Sequence, residues 1–325
     1  MPHFSKPDPR SRPAAGPASS PGEFVAPTGA MRPRGSTEYR GEETPTSQAM
    51  KQKAAAVPVG AAGENEAIAM AGSRSGPARH DELKICGLAA VKARFARDPG
   101  SIKRLFFDHA TGQRVGVICR VLAQQKKIYR QVEAAELEKI SGSVHHGGIV
   151  AVVYAPPLRL VAPADVSAWA KRGEAVLVLD RIGNAHNLGA IARTAAFFGV
   201  PRIVIPDDTT AARPTDAAHR VAEGGFEHLE VWQTKDLAGF ARELAAAGYE
   251  VIGAATRGGR PDAPQTKGRK PFALLLGNEE QGLAPEVAAA CTRLVTIPGS
   301  GKIESLNVSV AAAVLLWELL ARRGQ

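Results

Sequence analysis

The sequence predicts an α/β protein built mainly on a parallel sheet. Two observations lead there. Short apolar runs such as "EAVLVLD" (174–180) read as strands buried on both faces. They alternate with helix-length stretches closed by glycine, at Gly199 and Gly248. Residues 1–79 show neither pattern.

Those first 79 residues hold 11 of the 23 prolines, and their large apolar residues are scattered singles such as Phe24, Val25 and Ile68. Such a segment cannot bury enough apolar surface to offset the entropy of ordering it. It is expected to be a disordered tail; an RNA-contacting arm is the competing reading. Order begins near residue 80. Ile85, Leu88, Ala89, Val91, Phe95 and Ala96 fall roughly on helical spacing, which predicts a helix over 86–97. "IKRLFF" (102–107) reads as a strand, 114–127 and 131–141 as helices, and "GGIVAVVYAP" (147–156) as a closing strand. Together these predict a small α/β domain over 80–156. Residues 157–173, with Pro157, Pro163 and Gly173, read as a linker.

The remaining residues, 174–325, alternate regularly. Strands are predicted at 174–180, 202–206, 249–256, 272–277 and 293–298, and helices at 187–199, 236–248 and about 307–322. This is a parallel sheet with helices on its faces. In such sheets ligands bind at the C-terminal edge of the strands. The loops to search therefore follow Asp180, Thr256, Gly277 and Pro298.

Composition narrows the function. The 325 residues carry a net charge of +9 and are 44% hydrophobic, enough for a sizeable core. The charge is uneven. Residues 80–155 have 12 Lys/Arg against 7 Asp/Glu, net +5, whereas 156–325 have 19 against 18, net +1. A polyanionic partner such as nucleic acid is expected on the middle segment, against the plainer reading of a solvated basic face. Cys86, Cys119 and Cys291 show no CxxC spacing, which argues against a zinc ribbon and against a disulfide framework. The N-terminus lacks the apolar run of a signal peptide. No apolar run reaches the ~18–20 residues of a membrane span. A reducing cytoplasm, with no membrane association, is the expectation.

Three constellations stand at the searched edge. In "LDRIGNAHNLGAIARTAAFFG", Asn187 is placed to cap a helix, and Gly189 lets another backbone approach. Arg193 lies six residues on, about 600° around the helix, among apolar residues where burial demands an anionic partner. The alternative is an arginine reaching to the rim. In "LLLGNEEQGLAPE", Gly277 ends a strand where a ligand can touch backbone, and Glu279 can orient a partner group; a plain strand-turn-helix joint is the alternative. In "IPGSGKIESLNVSV", Ser305 and Asn307 precede the final helix. Capping explains one of them, but not both, nor the Gly-Ser-Gly loop before them. No stretch matches a phosphate-binding GxxxxGK[ST] loop or a GxGxxG turn.

Occurring together and in this order, the three stretches resemble motifs one, two and three of the SpoU (TrmH-like) branch of the SPOUT RNA methyltransferases. The matching residues are Asn187, Gly189 and Arg193-Thr194-Ala195; then Leu276-Gly277-Asn278-Glu279 with Gly282; then Ile297-Pro298, Gly301 and Ser305-Leu306-Asn307-Val308-Ser309. Residues 82–154 are similar, more weakly, to the ribosomal-protein-like substrate-binding domain that often precedes this catalytic domain. "RHDELKICGLAAVKARF" and "RIGNAHNLGAIART" resemble the YfiF-like subgroup. Two departures, Gly299-Ser300 where many members have Met-x and "RIGNAH" in place of a "DPHN" type, bear on target choice.

The resemblance implies a C-terminal trefoil knot, a fold rarity that periodicity cannot reveal. It implies S-adenosylmethionine held mainly through backbone at Leu276, Gly277, Ile297 and Leu306. It implies methyl transfer to a ribose 2′-hydroxyl of tRNA or rRNA, with Arg193 the key catalytic residue and Asn187, Glu279, Ser305 and Asn307 completing the site. It also implies a homodimer whose active site can draw on both subunits; Val310, Val314, Leu315 and Leu319 are read as one apolar side compatible with that, or as ordinary core. The alternative function is a non-catalytic RNA-binding or ribosome-assembly factor on the same fold.

Overall fold

The computed structural model describes residues 82–256, 258–259 and 270–321. The tail expected to be disordered, 1–79, lies outside the described residues, as does most of the 256–270 loop.

The smaller sheet is built from β1 (Glu82–Cys86), β2 (Ile102–Phe107), β3 (Ile128–Gln131) and β4 (Ile149–Tyr154), in the order β1-β4-β2-β3. Its helices are α1 (Leu88–Arg97), α2 (His109–Gly112), α3 (Gly116–Gln124) and α4 (Ala134–Ser141). β4 runs antiparallel to β1 and β2, while β3 lies parallel to β2 at the edge. The helix expected at 86–97 starts two residues late, because Gly87 takes φ 88° and separates it from β1. β1 was not expected. Its alternation is real, with Leu83 and Ile85 buried, but it spans only five residues. β3 was also unforeseen: all four residues are exposed, so no alternation marks it.

The larger sheet has seven strands, all parallel. They are β5 (Arg159–Leu160), β6 (Val176–Leu179), β7 (Arg202–Pro206), β8 (Glu230–Thr234), β9 (Glu250–Ala254), β10 (Phe272–Leu276) and β11 (Arg293–Val295). Their order is β11-β9-β10-β6-β7-β8-β5. The helices are α5 (Pro163–Lys171), α6 (Ala185–Phe197), α7 (Asp216–Ala222), α8 (Leu237–Ala246), α9 (Pro285–Ala290) and α10 (Val308–Ala321). Strand β6 explains the layering. Leu177 and Leu179 face a core with α6, α7 and α10, while Val176 and Val178 face a second core with α5, α8 and α9. Among the described residues no helix is long and apolar enough to cross a membrane.

The stretch read as a linker, 157–173, instead holds β5 and α5. Pro163 starts that helix, at the position where a missing N–H costs nothing. Asp165 accepts from the Ala162 N–H at 3.0 Å. Trp169 on α5 is buried edge-on against Trp232, ring centres 5.3 Å apart.

A polar seam joins the two sheets. The Lys84 N–H donates to Asp216 (2.8 Å), and Arg97 donates to the carbonyls of Phe226 and Leu229. At its centre Arg94 and Glu227, both buried, form an ion pair at 3.1 Å. His219 lies against the Phe226 ring. Burial, reinforced by the Arg94 charge, lowers its pKa to about 3, so it is neutral in the fold.

Candidate active site

The site forms where β6, β10 and β11 end. Asp180, buried just after β6, donates its N–H to the Leu276 carbonyl (2.8 Å) and accepts the Ala284 N–H on its carboxylate (2.6 Å). Arg181 follows in the left-handed region, φ 56°, an uncommon conformation for a residue with a Cβ. Its guanidinium donates to Asp180 (2.9 Å), to the Gln281 side chain (2.8 Å) and to the Gly282 carbonyl (3.3 Å). Its own carbonyl accepts from Asn278 Nδ2 at 3.1 Å. Asn278 Oδ1 in turn accepts the N–H groups of Glu280 and Gln281. The turn 278–282 is therefore clamped to the loop after β6.

Gly277 must be glycine for a reason internal to the chain. A Cβ there would meet the backbone of Gly282 and Leu283 at 2.2 Å, so the turn folds directly over it. The space that a Cβ would fill is taken by the chain's own turn. Gly189 does serve close approach: a Cβ there would lie 2.4 Å from the Ala218 carbonyl oxygen of α7.

Asn184, not Asn187, caps α6, accepting the His186 N–H at 2.8 Å. The two asparagines stand three residues apart, and the helix starts two residues earlier than its apolar pattern suggests. Asn187 is thereby left free in the first turn. Its Nδ2 donates to Glu279 Oε1 (2.5 Å), and its Oδ1 accepts from Asn307 Nδ2 (3.1 Å). Asn307 spends its own Oδ1 on α10, accepting the Ser309 N–H and hydroxyl. The continuous chain Glu279–Asn187–Asn307 links all three motif stretches through direct hydrogen bonds.

Beside this chain lies a cavity of about 110 Å³. Leu276, Gly277 and Glu279 line one side, Ile297, Ser305 and Leu306 the other; Val308, Ala311 and Leu315 give it an apolar wall. Among the described residues, the N–H groups of Gly277, Ile297 and Leu306 donate to no backbone or side-chain acceptor. Unspent backbone donors beside an apolar wall suit a planar, hydrogen-bonding ligand such as a purine.

Arg193 is the candidate residue that does not join the others. Its side chain is 57% exposed and pairs with Glu223 at 2.9 Å. It lines no part of the cavity. The burial that seemed to demand an anionic partner does not occur, because Arg193 points off the outer side of α6. The expected one-sided apolar stripe on α10 also divides: Leu315 and Leu319 are core, whereas Val310 and Val314 are exposed. Neither the Asp180–Arg181–Asn278 clamp nor Glu223 was anticipated. Polar pairs across about 100 positions of sequence leave no local spacing to read.

Residues 174–317 match the model of the SpoU rRNA methylase family, and 84–158 match the model for RNA 2′-O-ribose methyltransferase substrate binding. A 23S rRNA (guanosine-2′-O-)-methyltransferase, RlmB, of Nitrosomonas europaea is 34% identical over 247 residues, covering 74% of this chain and 92% of the relative. The chain belongs to the SpoU methylase family. Another SpoU relative, an uncharacterized tRNA/rRNA methyltransferase named YfiF of Escherichia coli, is 34% identical over 244 residues, 74% of this chain and 68% of that one. Among solved structures, an AdoMet-bound rRNA methyltransferase from Sinorhizobium meliloti superposes with a TM-score of 0.60 at 25% identity, covering 75% of this chain and 87% of that one.

Proposed function

We propose that this SpoU-family chain transfers a methyl group from S-adenosylmethionine to a ribose 2′-hydroxyl of tRNA or rRNA. The observation that carries this is the convergence of three motif loops on one cavity with unspent backbone donors along its wall. The cofactor would be held by Leu276, Gly277, Ile297 and Leu306, chiefly through main chain. When bound, it supplies an electrophilic methyl group on a sulfonium.

The rest falls to the chain's own residues. A neutral ribose hydroxyl is a weak nucleophile, so the site must align it and stabilise the charge it develops. The Glu279–Asn187–Asn307 chain and the Ser305 hydroxyl are fixed polar groups at the cavity rim suited to orienting the ribose. Good positioning accounts for several of the ~7–11 kcal/mol that alignment can supply. Arg193 binds the phosphate beside the target and stabilises the developing alkoxide electrostatically. It is not a proton acceptor, because a guanidinium stays charged in proteins; the proton released from the 2′-hydroxyl passes to solvent water.

For Arg193 to act, it must reach a cavity it does not line. One turn beyond it, Phe197 is 83% exposed, and α10 alongside exposes Val310, Val314 and Trp317. An apolar surface of this kind supports a homodimer joined through α6 and α10. Arg193 would then leave Glu223 and enter the partner's site. The trefoil knot implied by the family belongs to the same reading, with α10 packed against α6. The matched ranges support an RNA-binding domain over 80–156 and a methyltransferase domain over 174–325; acting on tRNA or rRNA, the chain would work in the cytoplasm.

Calorimetric titration of the purified chain with S-adenosylmethionine tests the cofactor assignment. One site per chain is the expected result; no binding heat would contradict it.

A further inference from the structure

The smaller domain has one surface unlike the rest. From His109 to Val132 the chain contains no Asp or Glu and five Lys/Arg: Arg114, Arg120, Lys126, Lys127 and Arg130. Arg114 stands just before α3, Arg120 on it, Lys126 and Lys127 in the turn after it, and Arg130 on the edge strand β3. Two are engaged. Lys127 donates to the Gly100 carbonyl at 2.6 Å, and Arg130 pairs with Glu136 on α4. Arg114, Arg120 and Lys126 are exposed and form no ion pair among the described residues.

Large apolar side chains are interleaved with them. Val117 is 65% exposed, Ile128 58% and Tyr129 42%. Tyr129 pairs in register with Leu105, whose side chain belongs to the core under α1 and α3; Tyr129 therefore stands on the α3 side of the sheet. Lys126 sits at φ 55°, a turn conformation that a lysine adopts only under constraint.

Lysines on an edge strand are a common device against strand-to-strand aggregation. That account fits poorly here. Arg114 and Arg120 lie on the α3 side rather than on the strand, and exposed Ile128 and Tyr129 are the residues such a device would remove.

We infer that this edge, α3 with the 125–127 turn and β3, holds single-stranded RNA: Arg114, Arg120 and Lys126 contact phosphates, and Tyr129 stacks on a base. Spaced cations with an exposed aromatic among them are the chemistry that single strands require. The inference rests on the RNA-methyltransferase reading and assigns the face of the smaller domain that binds the substrate.

The test uses the full chain, a fluorescein-labelled single-stranded RNA of about 20 nucleotides, and anisotropy across a salt series. The combined variant Arg114→Glu, Arg120→Glu, Lys126→Glu is expected to bind on the order of 100-fold more weakly, with the log–log salt slope reduced by about 2. Tyr129→Ala is expected to lose roughly 10-fold, and Tyr129→Phe to retain binding. Arg242→Glu, an exposed arginine on α8, serves as the remote control and should bind as the wild type does. S-adenosylmethionine titration should be unchanged in all of them. If the wild type binds RNA and the triple variant binds equally well, the inference is overturned while the methyltransferase reading stands. If the wild type binds neither RNA nor S-adenosylmethionine, both fall. Should the triple variant also lose its cofactor heat, the Tyr129 pair decides: equal affinities for Ala and Phe overturn the stacking assignment.

Discussion

The seam between the two sheets and the rim of the active site are both polar, long-range contacts, yet their energetics are opposite. At the seam, Arg94, Glu227 and His219 are all buried, and Glu227 has its pKa raised chiefly by desolvation, against the lowering effect of Arg94. At the rim, Glu279 and Asn307 are exposed and Asn187 is half-buried, and the links are single hydrogen bonds. Buried charge makes a contact expensive to break, so the seam governs stability. Exposure leaves side chains able to change partners, so the rim can exchange its internal bonds for a substrate.

The largest effect expected from this contrast is at Arg94. Arg94→Ala leaves the Glu227 carboxylate buried without its partner and should lower unfolding free energy by about 3–5 kcal/mol, measured by urea denaturation. Replacing both residues with apolar ones, Arg94→Met with Glu227→Leu, should recover most of that loss. A single variant as stable as wild type would erase the contrast.

Next is the pH response of the seam. His219 stays neutral in the fold down to about 3, whereas in the unfolded chain it takes up a proton below about 6.5. Its contribution is therefore fully present above pH 6.5 and is lost as pH falls toward 3, on the order of a few kcal/mol in all. The raised Glu227 works in the opposite sense, gaining a proton in the fold as pH falls. The melting temperature of wild type minus that of His219→Phe, followed downward from neutral pH, isolates the histidine and should decline.

Gly277→Ala places a methyl group against the backbone of 282–283. It should cost about 1–3 kcal/mol, as overpacking does, and abolish S-adenosylmethionine binding by displacing the clamped turn. The smallest stability effect belongs to the rim: Asn187→Ala should change unfolding free energy by about 1 kcal/mol or less while severely lowering methyl transfer. If it instead unfolded the protein as Arg94→Ala does, the rim would be structural.

Legibility in the sequence follows the same division. β6, β7 and β10 were readable because burial on both faces makes their apolar runs continuous. β3 and β8 were not, since β3 buries nothing and β8 buries only Trp232. Helix α5 hid behind Pro163, which marks a helix start as readily as a loop. At the candidate site, Asn187, Gly277, Glu279, Ser305 and Asn307 stood out because three short stretches occur together, and in the fold they lie around one cavity rim. The clamp through Asp180, Arg181 and Asn278 was hidden, since it depends on strand adjacency that sequence order does not give. The capping role passed to Asn184 because local spacing admits either asparagine.

Methyl transfer is tested first by 2′-O-methylation profiling of total tRNA and rRNA, at nucleotide resolution, in cells with and without this protein. The account predicts a site that is lost without the protein, restored by the wild type, and not restored by Arg193→Ala. If no site is lost under several growth conditions, methyl transfer by this chain is contradicted; if Arg193→Ala restores the site fully, the role given to Arg193 falls while methyl transfer stands.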